Sequence, residues 1–208
     1  MTGSSNRRPH LRPDLRHVAD LVPQGARVLD IGCGDGQLLE TLWREKGVDG
    51  RGVELSMAGV NACVTRGLSV IQGNADTDLA DYPDASFDVV VLSQTLQAVG
   101  RPRRVLEQML RIGRRAIVSF PNFGHWSARV ELALRGRVPG STLIDQPWYR
   151  TPSIHPCSIA DFVELCRRSG ITIERGWVVH AGGAVAPLGR CANVLAREAV
   201  FLLNRPPA

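Results

Sequence analysis

The sequence lacks the features that would place it outside the ordinary folded proteins. Its 208 residues contain no apolar run that approaches the ~20 residues of a membrane-spanning helix. Its first residues are polar and basic, without the apolar core of a secretory signal. The apolar fraction of 44% and the charged fraction of 22% exclude wholesale disorder. We therefore expect a cytoplasmic protein in which residues 11–205 form one domain, preceded by a disordered basic tail at 1–10.

Cysteine is scarce and irregularly spaced. The five cysteines make an odd count, and no two of them have the Cys-x-x-Cys spacing of a zinc site. We therefore expect neither a disulfide framework nor a bound metal. Each thiol is predicted to be reduced and to pack as a small buried apolar group. The five residues are Cys33, Cys63, Cys157, Cys166 and Cys191.

Lysine is almost absent, since the chain has 24 arginines but only Lys46. The formal net charge of +5 is typical of proteins that bind nucleic acid, yet its distribution argues otherwise. Residues 18–99 carry five bases and twelve acids, whereas residues 100–115 carry six arginines and one acid. The basic stretch permits an RNA methyltransferase that contacts phosphates, but a solvated helix face explains it more simply. We expect no nucleic-acid or membrane partner and interpret the basic rim as a candidate protein-docking surface.

Apolar strands alternate with amphipathic helices along the chain, which predicts βαβ units. We expect an α/β fold with a seven-stranded, mostly parallel sheet and helices on both faces. The predicted strands are 27–31, 51–55, 69–72, 87–92, 116–120, 171–179 and 193–203. The predicted helices are 12–21 (at the domain edge), 37–46, 58–65, 102–112 and 159–168.

An aromatic-rich insertion at about 121–157 interrupts this alternation after the fifth strand. It is rich in proline and glycine, and a bare loop of this length is uncommon. One interpretation is a satellite hydrophobic cluster that covers the end of the sheet. The other is a lid or a partner-docking element over the site. The two interpretations are compatible.

A glycine loop at 29–36 follows the first strand and opens the first long helix. Glycine permits a tight turn and lets a ligand approach the backbone at the helix N-terminus. The glycines do not have the spacing of a dinucleotide-binding loop. Asp30 and Asp35 would repel a pyrophosphate but suit an ammonium or sulfonium group. The loop therefore predicts a cationic nucleoside ligand such as S-adenosylmethionine.

Polar residues follow the next three strands in an order that fits the rest of such a ligand. Glu54 ends the second strand, where a carboxylate can accept hydrogen bonds from both ribose hydroxyls. Residues 73–76 follow the third strand, where a side-chain oxygen and a backbone N–H can bind adenine. Ser93 and Gln94 end the fourth strand.

This order of motifs resembles the class I S-adenosylmethionine-dependent methyltransferases. The resemblance implies that Gly32, Gly34 and Gly36 line the methionine part, that Asp30 orients its amino group and that Glu54 holds the ribose. An asparagine, Asn74, stands where that family usually has aspartate for the adenine amino group, so we expect weaker binding. The full predicted cofactor set is Asp30, Gly32, Cys33, Gly34, Gly36, Glu54, Leu55, Asn74, Ala75, Asp76, Ser93 and Gln94.

Four further segments, at 92–98, 119–126, 148–155 and 157–162, resemble the MetW family of methionine-biosynthesis proteins. Generic methyltransferases do not carry the last three. The resemblance covers residues 11–205 and implies a bacterial cytoplasmic protein that works beside homoserine O-acyltransferase. It implies no defined methyl acceptor, and S-adenosylhomocysteine is expected as product or alternative ligand. Pairing of two copies into a homodimer stays open.

The sequence offers no complete catalytic set. It has no Asn-Pro-Pro-Tyr after the fourth strand, no Gly-x-Ser-x-Gly elbow and no His-Glu-x-x-His. Methyl transfer needs little acid–base machinery, so these absences do not exclude it. If catalysis occurs, His125, Tyr149 and His155 are the candidate general bases, although structural hydrogen bonding explains each of them as well. Two functions remain: an accessory or regulatory partner of the acyltransferase, or a methyltransferase acting on an unidentified small molecule.

Overall fold

We describe the protein from a computed structural model, which describes residues 11–136 and 155–204. The strands are β1 Arg27–Ile31, β2 Asp49–Glu54, β3 Ser69–Gln72, β4 Phe87–Ser93, β5 Gly113–Pro121, β6 Thr172–Val179, β7 Val185–Pro187 and β8 Glu198–Asn204. The helices are α1 Pro13–Leu21, α2 Gln37–Lys46, α3 Met57–Thr65, α4 Pro102–Ile112, α5 Trp126–Arg135, α6 Ile159–Arg168 and α7 Ala192–Leu195, with a 3-10 turn at Asp78–Asp81. The basic tail predicted at 1–10 and residues 137–154, about half of the aromatic-rich insertion, lie outside these residues.

The strands form one sheet in the order β3-β2-β1-β4-β5-β8-β6-β7. The five strands from β3 to β5 are parallel, and β8, β6 and β7 are antiparallel to their neighbours. The predicted α/β class and mostly parallel sheet are confirmed. The predicted number of seven strands is wrong, because the described residues form eight. The additional strand, β7, has only three residues and pairs with β6 just after Gly182 and Gly183. A strand this short is not recognised from runs of apolar residues.

Both faces of the sheet are covered, as the unbroken apolar runs predict. In β4, Val90 and Leu92 join a core cluster with α4 and α6, whereas Val89 and Val91 join a second cluster with α1 and α2. This alternation follows from the two-residue period of a strand. With both faces buried, the carboxyl ends of the parallel strands are the edge at which loops can build a site.

Several local predictions need correction. The last predicted strand, 193–203, is wrong at its start, because α7 occupies Ala192–Leu195 and β8 begins only at Glu198. Helix α1 is not a peripheral element, since Val18 is fully buried in the second core cluster. Cys191 is exposed rather than buried, whereas the other four cysteines are buried or half-buried.

The insertion begins with a helix rather than a loop. Helix α5 starts at Trp126, and this side chain is 52% exposed, so it joins no cluster over the sheet in the described residues. Phe120, just before the insertion, lies in the core, with its ring centroid 4.8 Å from that of Phe162. The described part of the chain contains no helix with the length and hydropathy needed to cross a bilayer.

Candidate functional site

The glycine loop between β1 and α2 has the left-handed backbone that only glycine adopts freely. Gly32 has φ +72°, and a Cβ at this position would lie 2.5 Å from the Thr95 hydroxyl oxygen. Gly34 has φ +58° and no heavy atom within 4 Å of such a Cβ. The loop is therefore packed against the end of β4 at Gly32 and open at Gly34, where a ligand can approach the backbone.

Gly36 is the N-cap of α2 with φ +79°. A Cβ there would meet Leu68 Cδ1 and lie 2.9 Å from Cys63 Sγ. The glycine thus lets the start of α2 pack closely on α3. The structure therefore explains the glycine at this position by packing, and Gly36, predicted to line the methionine part, lines neither of the two cavities described below.

The thiols beneath the loop are neutral packing groups. Cys33 Sγ lies 3.9 Å from Cys63 Sγ, and the Cys63 thiol donates to the Gly34 carbonyl at 3.3 Å. Burial raises the pKa of both thiols. Cys33 therefore lines the loop as an uncharged side chain, as predicted for a small buried residue.

Asp30 is the buried acid of the loop. It is 2% exposed, and its Oδ1 has no hydrogen-bond partner among the described residues. Burial, followed by the negative charge of Glu54, raises the pKa of Asp30 to about 7. A buried carboxyl oxygen without a partner is costly, so this side chain is prepared to bind a donor from a ligand.

Asp30 lines a cavity of about 320 Å³ between α1 and the glycine loop, here named the α1 cavity. Its walls also include Arg12, Leu15, Gly32, Cys33, Gly34, Asp35, Gln37, Leu38, Ser93, Gln94 and Thr95. The sequence analysis missed Arg12, the one basic side chain among these residues. The available signal was a basic residue just before α1, but only the packing of α1 onto the sheet brings it to the loop.

A second cavity of about 490 Å³, here named the β3 cavity, lies beyond the ends of β2 and β3. It shares Gly32 and Thr95 in its walls with the α1 cavity, so the two cavities are adjacent at the end of β4. Its other lining residues are Ile31, Val53, Glu54, Leu55, Ser56, Gly73, Asn74, Ala75, Asp76, Ala98, Val99 and Gly100. The polar residues predicted to follow three successive strands thus come together along two adjoining cavities.

The acids of the β3 cavity already have backbone partners. Glu54 accepts from the Gly34 N–H at 2.9 Å and the Ser56 N–H at 2.8 Å. Asp76 accepts from the N–H groups of Gly100 and Arg101, at 2.7 and 2.8 Å. Because each carboxylate oxygen has two lone pairs, both side chains keep capacity for a ligand hydroxyl while they fix the loops after β2 and β4.

The side chain of Asn74 shapes its own turn, since Asn74 Oδ1 accepts from the Asp76 N–H at 2.9 Å. Its position still lines the β3 cavity beside Ala75 and the 66%-exposed Leu55. One lone pair of the amide oxygen is therefore used internally. Its contact with adenine stays a prediction.

Asp35 is neutralised rather than free for a ligand. Its Oδ2 lies 3.1 Å from Arg66 Nη2 and also accepts from Gln37 Nε2 at 2.8 Å. The negative charge that faces the α1 cavity from the loop is therefore that of Asp30. At the end of β4, Ser93 is buried and its hydroxyl lies 2.8 Å from that of Ser119.

The histidines proposed as general bases lie outside both cavities. His125 is 4% exposed and caps α5, with Nδ1 accepting from the Ser127 N–H at 3.2 Å. Burial lowers the pKa of His125. His155 is exposed, with Nε2 3.3 Å from the Gly100 carbonyl oxygen. Both make the structural hydrogen bonds that were the alternative interpretation, and Tyr149 lies outside the described residues.

The segment after β5 is a structural junction, which the sequence analysis did not anticipate. The buried Asn122 donates from Nδ2 to the carbonyls of Asn193 and Ala196, and its Oδ1 accepts from Gly124 and Ile159. One amide side chain thereby joins β5, α6 and α7. An asparagine two residues before a glycine, directly after a strand, was the available signal.

The residues present fit S-adenosylmethionine. The partnerless oxygen of Asp30 suits its ammonium group, Arg12 suits its carboxylate, and the open Gly34 lets the chain of the ligand lie on the backbone. Glu54 stands at the β3 cavity, where a ribose would follow. The two adjoining cavities provide separate spaces for the amino-acid end and the nucleoside end.

Comparison with solved structures defines the fold class. An S-adenosylmethionine-dependent methyltransferase from Thermotoga maritima superposes with a TM-score of 0.70 at 20% identity, covering 93% of this chain and 87% of that one. The [4+2]-cyclase SpnF superposes with a TM-score of 0.64 at 18% identity, covering 93% and 81%. This chain therefore has the class I methyltransferase fold, which also supports other chemistry.

Sequence comparison defines the family. The model of the family described as "Methionine biosynthesis protein MetW" matches residues 12–203. The bifunctional methionine biosynthesis protein MetXA/MetW of Rhodopirellula baltica is 34% identical over 94% of this chain. The chain spans only 33% of that longer relative. A ubiquinone/menaquinone biosynthesis C-methyltransferase of Bdellovibrio bacteriovorus is 26% identical over 76% of this chain and 75% of its own length. The chain belongs to the MetW family.

Proposed function

We propose that this protein binds S-adenosylmethionine across the two cavities and acts with homoserine O-acyltransferase as an accessory or regulatory partner. The observation that carries the proposal is the pair of adjacent cavities that share Gly32 and Thr95 in their walls, with Asp30, whose Oδ1 has no partner among the described residues, in one and Glu54 in the other. The bound group would supply a positive charge and a transferable methyl. The chain's own residues would bind and orient it.

The roles of the residues follow from their charges. Asp30 accepts hydrogen bonds from the ligand ammonium group, Arg12 donates to its carboxylate, and Glu54 accepts from the ribose hydroxyls. Asn74 and Ala75 face the adenine. Gly32 and Gly34 keep side chains out of the space between the two ends.

Two observations support the accessory role: the absence of histidine from the described walls of both cavities, and a relative in which the two proteins are fused. Neither His125 nor His155 lines the α1 cavity or the β3 cavity, so among the described residues no imidazole stands beside the proposed methyl position. The Rhodopirellula relative carries MetXA and MetW in one chain, and such a fusion keeps two modules at high effective concentration. A ligand that binds two conformations of the accessory protein differently would change its affinity for the partner.

Co-purification with the acyltransferase of the same organism tests this function. We expect a complex, and we expect homoserine acylation to change when S-adenosylmethionine is added to the complex but not to the acyltransferase alone. The matched variant is Asp30→Asn, which should still join the complex but lose the response. Acyltransferase activity that is indifferent to both the protein and the nucleoside would overturn the proposal.

A methyltransferase of an unidentified small molecule is the second candidate, favoured by the similarity to the Bdellovibrio C-methyltransferase. The same cavities would serve it, so binding of the cofactor does not separate the two functions. Formation of S-adenosylhomocysteine in the presence of a metabolite panel does. Turnover with one member would establish the second function, whereas no turnover by protein that demonstrably binds the cofactor would exclude it for that panel.

A further inference from the structure

A bridge of three side chains lies at one wall of the α1 cavity, with Gln94 in the wall itself and two carboxyl groups behind it. Gln94 Nε2 lies 3.3 Å from Asp14 Oδ2 and 3.4 Å from Glu198 Oε2, and we name these three residues the carboxylate bridge. They come from α1, from the turn after β4 and from the start of β8. Gln94 has φ +54°, a conformation that costs a non-glycine residue energy and that its N–H supports by donating to the Ser119 carbonyl.

The bridge fixes which atom of Gln94 is available to a ligand. Carboxylates only accept hydrogen bonds, so the amide nitrogen must face them, because the opposite orientation would set oxygen against oxygen. The Gln94 carbonyl oxygen is the remaining polar atom, and Gln94 lines the α1 cavity with Asp30. The cavity wall therefore presents hydrogen-bond acceptors backed by two carboxyl groups.

Two carboxyl groups stand behind this wall, and Arg12 pairs with one of them. Asp14 is 2% exposed, and Arg12 Nη2 lies 3.3 Å from its Oδ2. Burial and the charge of Asp14 raise the pKa of Glu198 to about 7, against the opposing charges of Arg12 and Arg197. Independently of the bridge, the buried Oδ1 of Asp30 has no partner among the described residues and points to a ligand with a donor.

We infer that the carboxylate bridge makes the site selective for the sulfonium form of the nucleoside, S-adenosylmethionine, over the neutral thioether S-adenosylhomocysteine. The inference rests on the proposed function. The two ligands share their adenosine and amino-acid parts, so only groups that respond to the sulfonium charge and methyl can separate them. The sulfur joins the two parts, so it would lie between the two cavities, whose walls share Gly32 and Thr95, and Gln94 is the chain neighbour of Thr95.

Such selectivity gives the proposed regulation its physical basis. A ligand shifts a conformational equilibrium only by its difference in affinity between the states. A protein that reports the supply of methyl donor must also distinguish the donor from its demethylated product. A negative charge in a poorly hydrated wall distinguishes the charged donor from its neutral product without contacting the rest of the ligand, because electrostatic interactions are stronger there than in water.

Calorimetric titration of the full-length protein with three ligands tests the inference. The ligands are S-adenosylmethionine, S-adenosylhomocysteine and sinefungin, which carries an ammonium group where the first carries the sulfonium. We expect the wild-type protein to bind the first about tenfold more tightly than the second, which corresponds to ~1.4 kcal/mol. Sinefungin should bind like the charged ligand.

Glu198→Gln and Asp14→Asn should each lower this ratio to about threefold or less, while the affinity for S-adenosylhomocysteine changes less than twofold. The matched control is Glu107→Gln, which removes an exposed carboxylate of α4 that pairs with Arg103 and should leave the ratio unchanged. Circular dichroism and thermal melts identify any variant that does not fold. In that case, the wild-type ratio measured from pH 6 to 8 provides the test, since it should rise as Glu198 loses its proton beside Asp14, Gln94, Arg12 and Arg197.

Equal wild-type affinities for the two nucleosides would overturn the selectivity. An unchanged ratio in both folded bridge variants would also overturn it. Both results would leave the proposed function intact. Failure of the wild-type protein to bind either nucleoside would instead overturn the proposed function.

Discussion

The α1 cavity and the β3 cavity share Gly32 in their walls, yet Asp30 of the first differs in its hydrogen bonding from the acids of the second. In the β3 cavity, Asp76 has two backbone donors and Glu54 also has two. In the α1 cavity, Asp30 is buried with one oxygen unpartnered. A satisfied carboxylate holds a loop in shape, whereas an unsatisfied one gains most from a ligand. The comparison predicts that charge dominates binding at the α1 cavity and that shape and neutral hydrogen bonds dominate at the β3 cavity.

Gly32→Ala should have the largest effect, because it affects the junction of both cavities. The substituted residue would have to adopt φ +72° with its Cβ 2.5 Å from the Thr95 hydroxyl oxygen. We expect a loss of about 2–4 kcal/mol in the free energy of unfolding and loss of all nucleoside binding. Urea unfolding and calorimetry measure the two effects.

Gly25→Ala is the matched control for this variant. Gly25 has a similar φ of +67°, but a Cβ there would have no heavy atom within 4 Å. We expect a loss of only about 1 kcal/mol, from backbone strain alone, and unchanged binding. Equal losses for the two variants would show that backbone strain and not the contact with Thr95 accounts for the glycine at the junction.

Asp30→Asn should weaken binding at the α1 cavity and leave binding at the β3 cavity unchanged. Loss of a hydrogen bond to a charged partner costs ~1.5–3 kcal/mol, so we expect S-adenosylmethionine to bind about 10- to 100-fold more weakly. 5′-Methylthioadenosine lacks the amino-acid end and should bind the variant and the wild type alike. Calorimetry with both ligands measures the difference, and an equal loss for both would contradict the division of labour between the cavities.

The same substitution should change how stability depends on pH. The pKa of Asp30 is raised from 3.8 to about 7 in the folded protein, so its contribution to stability is fully present below about pH 4 and is lost as the pH rises to 7. The variant should therefore be more stable than the wild type at pH 8, with an advantage that shrinks at pH 5. Thermal melts at the two pH values check the sign. The pKa of Glu198 is also raised to about 7. The stability of the variant should therefore still fall as the pH rises, but with a smaller slope than that of the wild type.

Asn74→Asp should have the smallest effect and is confined to the β3 cavity. A charged acceptor forms a stronger hydrogen bond with the adenine amino group than a neutral one. Because Asp76 and Asp78 lie close by, we expect a gain of only about threefold in the affinity for 5′-methylthioadenosine. Unchanged affinity would indicate that the oxygen of residue 74 serves only its own turn.

Much of the fold could be predicted from local patterns. The bounds of β1, α2, β3, α4 and α6 agree with the predictions, and the capping box of Ser158 and Asp161 is present at the start of α6. These elements have strong periodicity and clear termini. The prediction failed for β7, which is too short for periodicity, and at 193–195, where an apolar run forms a turn of helix before β8.

The sequence by itself determined the glycine loop, the acids at the ends of β1 and β2 and the mostly parallel sheet that brings them to one edge. These features are local, because backbone conformation at a glycine and the ends of apolar runs depend on neighbouring residues. Only the tertiary structure decided that Arg12 joins the site and that Gln94 links Asp14 and Glu198, residues 80 and 104 positions away from it. Burial of a charge depends on packing between distant elements, so sequence spacing cannot reveal it.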